Sequence, residues 1–471
     1  MWDTCIGRAK AAASGPAPVG AVCIIDRLPA PIFPDPILLN PSIPSSEPGP
    51  GAPASESRTF ALALGAAFVA WLVASSLFLL PVLADPTQAV RGDDYWTMSE
   101  WFGHFGPWPH THFGPGYPLL IFVLRAGGLT MLGLAVLQKL MLVGIAAAIY
   151  RIARLYRLPP LVALATAAAF TVFPVIQTYS SLFFAETFFL LLATWGVRHF
   201  VGACLQGRSA GPMRLVGAFA LLGVAALVRG NALVLLAGCT LIGFVWLPWR
   251  GLLLAALVGA LPVLGWSTLN WHWYGHFKPT SSGDAAIGAS IVGPVMSELE
   301  GIPREVGGPE IWIKGRWQDQ FPNQFELSIA TKAMAIDYAR KHPVPVVLGN
   351  VKGWFKALLG PGQADLETFF GTVGTWLAAL SLTIRAALLV GMLGYFASGT
   401  ARRTPAFAGC LLAMLVGHVI AGGAAGHSRF GFPVDTFAVI ATALWLHAMC
   451  RPRPRAAALT PGRAPAPPAR R

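Results

Sequence analysis

The stretch that decides the fold reads Phe60-ALALGAAFVAWLVASSLFLLPV-Leu83, an uncharged run of 24 residues. An α-helix needs roughly 20 apolar residues to cross about 30 Å of hydrocarbon, so this run predicts a membrane-spanning helix. The rest of the chain agrees with it. Of its 471 residues 55% are hydrophobic and 12% charged, against roughly 25% charged in a soluble domain. That composition excludes an ordinary soluble enzyme.

Toward the N-terminus, residues 1–57 are rich in Pro, Ala, Ser and Gly, and the run Pro29-Ala-Pro-Ile-Phe-Pro-Asp-Pro36 cannot sit inside a helix because proline lacks the amide donor. This segment reads as a disordered tail, with no sustained apolar core of the kind a signal peptide carries. Toward the C-terminus, a polar and aromatic loop over 84–116 is followed by a short helix starting at Tyr117. Further apolar stretches lie at 129–150, 159–176, 182–203, 213–228, 230–248 and 250–270. Residues 271–370 are more polar and hold ten acidic groups, so they read as a large outer loop with helical pieces such as 325–341. Three more spans fit 376–398, 404–424 and 430–449, and the Arg/Pro-rich residues 451–471 read as a solvated basic tail. The expectation is an all-α polytopic membrane protein of about ten transmembrane helices.

Short-loop arginines set the sidedness, because positive charge stays cytoplasmic. Arg58 precedes the first span, Arg151, Arg154 and Arg157 follow the second, Arg198, Arg208 and Arg214 mark the end of the fourth, Arg250 follows the sixth, and Arg402 and Arg403 follow the eighth. Outside the short helix at Tyr117 and the long loop, the alternate segments hold only Arg91, Arg229 and Arg429. Both termini are therefore expected in the cytoplasm, the protein being multi-pass in the plasma (inner) membrane, and an even span count follows. From residue 58 onward all sixteen acidic residues fall in the opposite segments or near their helix ends. The net charge of +13 is spread over short loops and the tail. It reads as topology signal and contact with lipid heads, with no nucleic-acid surface. The six cysteines include no CxxC pair, so neither a disulfide framework nor a thiolate metal site is indicated.

Chemistry concentrates on the outer side. The first outer loop holds Arg91-Gly-Asp-Asp-Tyr-Trp, where the adjacent Asp93 and Asp94 can supply a general base, since neighbouring negative charge and partial burial raise one pKa. A solvated turn is the plain alternative. His110-Thr-His112 could hold a divalent metal with an acid, but no third ligand is fixed, and hydrogen bonding to lipid heads or backbone explains the histidines equally. Trp96, Trp101 and Trp108 suit a sugar face or a membrane-interface belt. Glu186 opens the fourth span in an apolar setting, where an unpaired carboxylate is costly and is functional or paired. Arg229, between two closely spaced spans, can hold a lipid phosphate or snorkel. His427-Ser-Arg429 places two phosphate donors before the last span. Arg385 is either a mid-membrane or an interfacial cation.

In their order along the chain these features resemble the GT-C class of membrane glycosyltransferases, in the branch of the dolichyl-phosphate-mannose protein mannosyltransferases and bacterial aminoarabinose transferases. Asp93-Asp94-Tyr95 stands where that branch carries an acidic pair and an aromatic. Pro115-Gly-Tyr-Pro-Leu-Leu120 resembles its helix start, Ala185-Glu186 its Ser/Ala-Glu, and His427 to Pro433 its late basic-aromatic segment. The pair here is Asp-Asp, a single proline replaces the usual doublet before Gly116, and no β-trefoil segment is visible. The resemblance covers residues 60–450.

It implies transfer of a sugar from a polyprenyl-phosphate donor to an acceptor hydroxyl on a glycan, lipid or protein. Asp93, or failing that Asp94, would be the base. Arg229, His427 and Arg429 would stabilise the departing phosphate, with Glu186 orienting hydroxyls and Tyr117 among the substrate-binding residues. The long outer loop would close over the site, and no cofactor is fixed by the residues. A lipid or sugar transporter, or a flippase, would instead show broken helices in related halves, and no internal repeat is visible. An O-antigen ligase or polymerase would rely on Arg and His in its large loop.

Overall fold

The computed structural model describes residues 54–90, 95–104, 106–301, 321–420 and 422–451. Asp93, Asp94, most of the proline-rich tail, the middle of the long loop and the basic tail lie outside these. Among the described residues the secondary structure is helical throughout, with no strand.

The first helix, α1 (Ala54–Ala84), starts inside the segment read as tail. After Pro53 no proline interrupts the polar lead-in, so the helix extends back to it. The apolar stretches that follow form α2 (Gly116–Ala126), α3 (Met131–Leu155), α4 (Pro160–Val172), α5 (Glu186–Gln206), α6 (Pro212–Val228), α7 (Ala232–Trp246) and α8 (Trp249–Tyr274). The long polar segment contributes α9 (Gln324–Lys341) and α10 (Pro343–Leu359), and α11 (Thr372–Ala397), α12 (Pro405–Leu415) and α13 (Phe432–Cys450) follow. Six helices are long and apolar enough to cross a membrane: those at Ser57–Ala84, Met131–Leu155, Glu186–Ser209, Trp249–Tyr274, Thr372–Ala397 and Phe432–Cys450. The other four expected spans are helical but shorter, at Pro160–Val172, Pro212–Val228, Ala232–Trp246 and Pro405–Ile420.

The broken element is instructive. The expected span 159–176 ends as α4 at Val172, because Pro174 cannot continue the ladder, and a separate turn follows at Pro174–Tyr179. The next expected span starts only at Glu186, leaving buried, irregular chain over 180–185.

Lipid tails provide no hydrophobic drive for helices to associate, so close backbone approach matters. Helices α5, α6 and α8 pack side by side, as do α11 with α13 and α7 with α12. At the α6–α8 contact a Cβ on Gly223 would stand 2.0 Å from the Gly259 carbonyl oxygen. Any larger side chain there drives the two helices apart.

The loop after α1 and the long polar segment after α8 meet at one end of the bundle. Thr111 accepts the Ser281 amide at 2.8 Å, and Gln324 Oε1 accepts the His112 amide at 3.1 Å. Asn323 caps α9 by accepting from Phe325 N and Glu326 N. Trp108 is fully buried among Trp101, Phe102 and Trp266, and Tyr274 donates to its carbonyl at 2.5 Å. Trp101 and Trp108 are therefore packing residues that lock the loop to the end of α8.

Candidate functional site

The site grows from the irregular chain between Tyr179 and Glu186. Two neighbouring side chains on α3 hold it. Gln138 donates to the Leu182 carbonyl at 2.8 Å. Lys139, fully enclosed, donates to the Gln177 carbonyl at 2.6 Å, Gln177 Oε1 at 2.9 Å and Ser180 Oγ at 2.8 Å. Three acceptors match the three donors of an ammonium group. They fix where α5 begins, and therefore where Glu186 stands.

Glu186 is 1% exposed, and its Oε1 meets Arg229 Nη1 in an ion pair. Arg229 caps the end of α6 in an extended conformation. The turn at Phe113-Gly-Pro-Gly buttresses that end: Cβ atoms on Gly114 and Gly116 would stand 2.1 Å from the Leu227 carbonyl oxygen and 2.9 Å from the Val228 nitrogen. Only glycine allows the turn this close.

A second arm comes from the loop before α13. Phe430 is its hub. Arg229 lies over the Phe430 ring at 5.9 Å and Arg429 at 5.8 Å, with Arg429 also over Phe184 at 5.3 Å. The His427 ring packs on Phe430 at 6.0 Å. The loop itself is clamped from behind. Arg385 donates to Asp435 Oδ2 through Nε (3.0 Å) and Nη2 (2.7 Å), to the Ser428 carbonyl at 3.0 Å, and to the Gly360 carbonyl. Ser428 Oγ shares a 2.7 Å hydrogen bond with Tyr179 OH.

A third arm is the aromatic stack around Tyr95. Tyr95, the residue after Asp94, is buried against Tyr117 (5.2 Å) and Phe113 (5.5 Å). Tyr117 reaches Phe188, two residues along from Glu186, at 6.4 Å. Trp96 stacks on Phe183 at 6.0 Å, with Arg125 over it at 4.5 Å.

The structure thus gathers Glu186, Arg229, His427 and Arg429 around Phe430. Tyr117 is fully buried, and its hydroxyl donates to Gln138 Oε1 at 3.0 Å, which ties it to the α3 side chain that holds the irregular chain over 180–185. Asp93 and Asp94 lie outside the described residues. Arg385 and Asp435 were legible as charges inside apolar spans, which calls for a partner. Lys139, a cation inside the 129–150 stretch, carried the same signal, whereas Phe430 carried none. Among the described residues no three His, Cys, Asp or Glu side chains gather as a metal site, and His110 and His112 pack on Trp108 and Phe113. A separate cavity of about 320 Å³ lies between Pro294–Glu298 and α10, with Lys352, Lys356 and Glu298 among its walls. None of the four gathered residues lines it.

Comparison with family models finds no match for the chain, and neither does comparison with curated proteins. Among solved structures the chain is similar to the archaeal oligosaccharyltransferase AglB from Archaeoglobus fulgidus, in complex with an inhibitory peptide and a dolichol-phosphate. The identity is 16% and the TM-score 0.43, over 81% of this chain and 50% of that one. The chain thus spans about half the length of that protein.

Proposed function

We infer that the chain is an integral-membrane glycosyltransferase that moves a sugar from a polyprenyl-phosphate donor to an acceptor hydroxyl at the outer face of the inner membrane. One observation carries this reading. Two arginines from distant parts of the chain, Arg229 and Arg429, converge on one aromatic ring beside a buried carboxylate, at the end of the bundle where the outer segments meet. Contact with the Phe430 ring holds both guanidinium groups in place. Fixed cations of this kind suit a group that gains negative charge.

In the reaction the acceptor oxygen attacks the anomeric carbon, and the carbon–oxygen bond to the phosphate breaks. The polyprenyl phosphate leaves with the bonding electron pair, and Arg229 and Arg429, with His427, stabilise the charge that develops on it. The acceptor's proton passes to Asp93, with Asp94 beside it. Glu186 orients hydroxyls, and Tyr95, next in sequence to Asp94, is buried in the aromatic stack. Fixed cations of this kind need no reorganisation as the bond breaks.

The test is Asp93→Asn in reconstituted membranes, supplied with a panel of polyprenyl-phosphate sugars and acceptors. Transfer is expected to fall at least about 10²-fold, as for loss of a general base, with expression and membrane insertion unchanged. Full transfer by this variant removes Asp93 as the base.

A further inference from the structure

A buried titratable side chain beside this site is not used by the reaction above. His418 lies in a π-helical turn, Val416–Ile420, that continues α12. Such turns re-aim a side chain relative to the helix before them and occur often at functional sites. The His418 ring lies against Phe189 at 5.1 Å between centroids. Phe189 is three residues beyond Glu186 and shares its face of α5. Next to His418, a Cβ on Gly417 would stand 3.0 Å from the Asn231 carbonyl oxygen, so the turn is pressed against the chain just beyond Arg229. The Arg229 charge reaches the His418 ring.

The hydrogen bonding of these groups identifies what they await. His418 Nδ1 is 3.2 Å from the Met414 carbonyl oxygen. A carbonyl only accepts, so Nδ1 carries the proton and Nε2 of the neutral ring presents a lone pair. Both His418 Nε2 and Glu186 Oε2 are buried, and neither has a hydrogen-bond partner among the described residues. Buried polar atoms are paired in folded proteins, and each exception asks for a reason. Here one acceptor belongs to the first residue of α5, which pairs with Arg229, and the other to a ring packed on Phe189 one turn further along. A phosphate offers further lone pairs and a charge like that of Glu186. A hydroxyl offers each acceptor a proton.

We propose that Glu186 Oε2 and His418 Nε2 receive hydroxyls of the sugar ring carried by the lipid, while the phosphate lies toward Arg229 and Arg429. The proposal rests on the glycosyltransferase reading and narrows it. The donor bears a polyhydroxylated sugar, and His418 is a sugar-contacting residue that takes no proton during transfer.

The experiment measures binding by the full chain in lipid nanodiscs, of polyprenyl phosphate alone and of polyprenyl phosphate linked to mannose, glucose, galactose or arabinose. At least one sugar-bearing lipid is expected to bind at least about tenfold tighter than the bare lipid, the increment of a hydrogen bond to a charged or strongly polar group. His418→Leu should lose that increment and keep the affinity for bare lipid, whereas His418→Gln, which retains an acceptor oxygen, should recover part of it. A merely structural histidine would weaken both lipids alike, and that result overturns the proposal, as does an increment that survives in His418→Leu or is missing from the wild type. Should His418→Leu fail to fold, the wild type with monodeoxy versions of the preferred sugar decides the same question: one deoxy position must cost about tenfold. Bare polyprenyl phosphate that does not bind the wild type at all sinks the donor assignment itself, a distinct failure.

Discussion

Arg385–Asp435 and Glu186–Arg229 are both arginine–carboxylate pairs removed from water, and their surroundings differ. Arg385 is 1% exposed and spends its donors on Asp435 and on backbone carbonyls from two other segments. It joins α11, α13, the end of α10 and the loop that carries His427 and Arg429. Glu186 is as deeply buried, yet its contact with Arg229 is not an aligned hydrogen bond and its second oxygen is unpartnered among the described residues. A buried pair that is fully hydrogen-bonded holds a structure in place. A pair that keeps polar capacity in reserve is suited to something that arrives.

Asp435→Ala leaves the Arg385 guanidinium buried without its counter-charge, and removing one partner of a buried pair costs about 3–5 kcal/mol. Thermal unfolding in detergent should show a large loss of stability, with loss of transfer following from it. The double variant Arg385→Met/Asp435→Leu removes both charges, and apolar replacement of a whole buried pair is often neutral or stabilising. It should therefore melt close to the wild type. If the single and double variants were equally unstable, the clamp would not owe its cost to an orphaned charge.

Glu186→Gln sharpens the same contrast from the other side. The substitution keeps size and an acceptor and leaves Arg229 partly exposed at 15%, so stability should change by less than about 1 kcal/mol. Transfer should nevertheless fall on the order of 10–100-fold, the value of a hydrogen bond to a charged group. Normal transfer with a lowered melting temperature would make this pair structural too and erase the distinction.

The two pairs also differ in how far the sequence disclosed them. Glu186 was legible because a carboxylate opening an apolar stretch has few bland explanations, and the arginine count placed Arg229 and Arg429 apart from the basic loops. Helix positions followed from apolar runs such as Phe60 to Leu83. What composition could not reveal was pairing across long separations: Arg385 and Asp435 are 50 residues apart, and Tyr179 and Ser428 are 249 apart. Nor could it show that Pro174 splits a span, or that Lys139, in the middle of an apolar helix, anchors the resulting break. His418 was hidden for a related reason. A histidine within an apolar run is silent until the turn around it is known to be π-helical and its ring is seen to lie one turn from Glu186.

A third carboxylate, outside the membrane-spanning helices, sets the lower end of the scale. Burial pushes the Asp284 carboxyl up, but hydrogen bonds and charge from Lys278 and Lys332 outweigh it and hold the group below its ordinary value. The Lys332 contact, at 2.8 Å, ties the residues after α8 to α9. A carboxylate whose folded pKa is depressed contributes stability above its unfolded pKa of roughly 3.9, and that contribution is lost as the pH falls through the lower folded value. The two lysines are about 40% exposed, so solvent screening limits the contribution to at most about 1 kcal/mol. Hydrogen exchange over residues 281–341 should therefore quicken modestly as the pH drops below about 4, after correction for intrinsic exchange. It should quicken likewise in 1 M salt, where the screening length is about 3 Å. Asp284→Asn should show the faster exchange already at neutral pH and lose both dependences, while transfer changes little. A large loss of transfer in Asp284→Asn would mean that the long polar segment's anchoring sets the geometry at Phe430, and the difference between holding and receiving carboxylates would then extend beyond the two buried pairs.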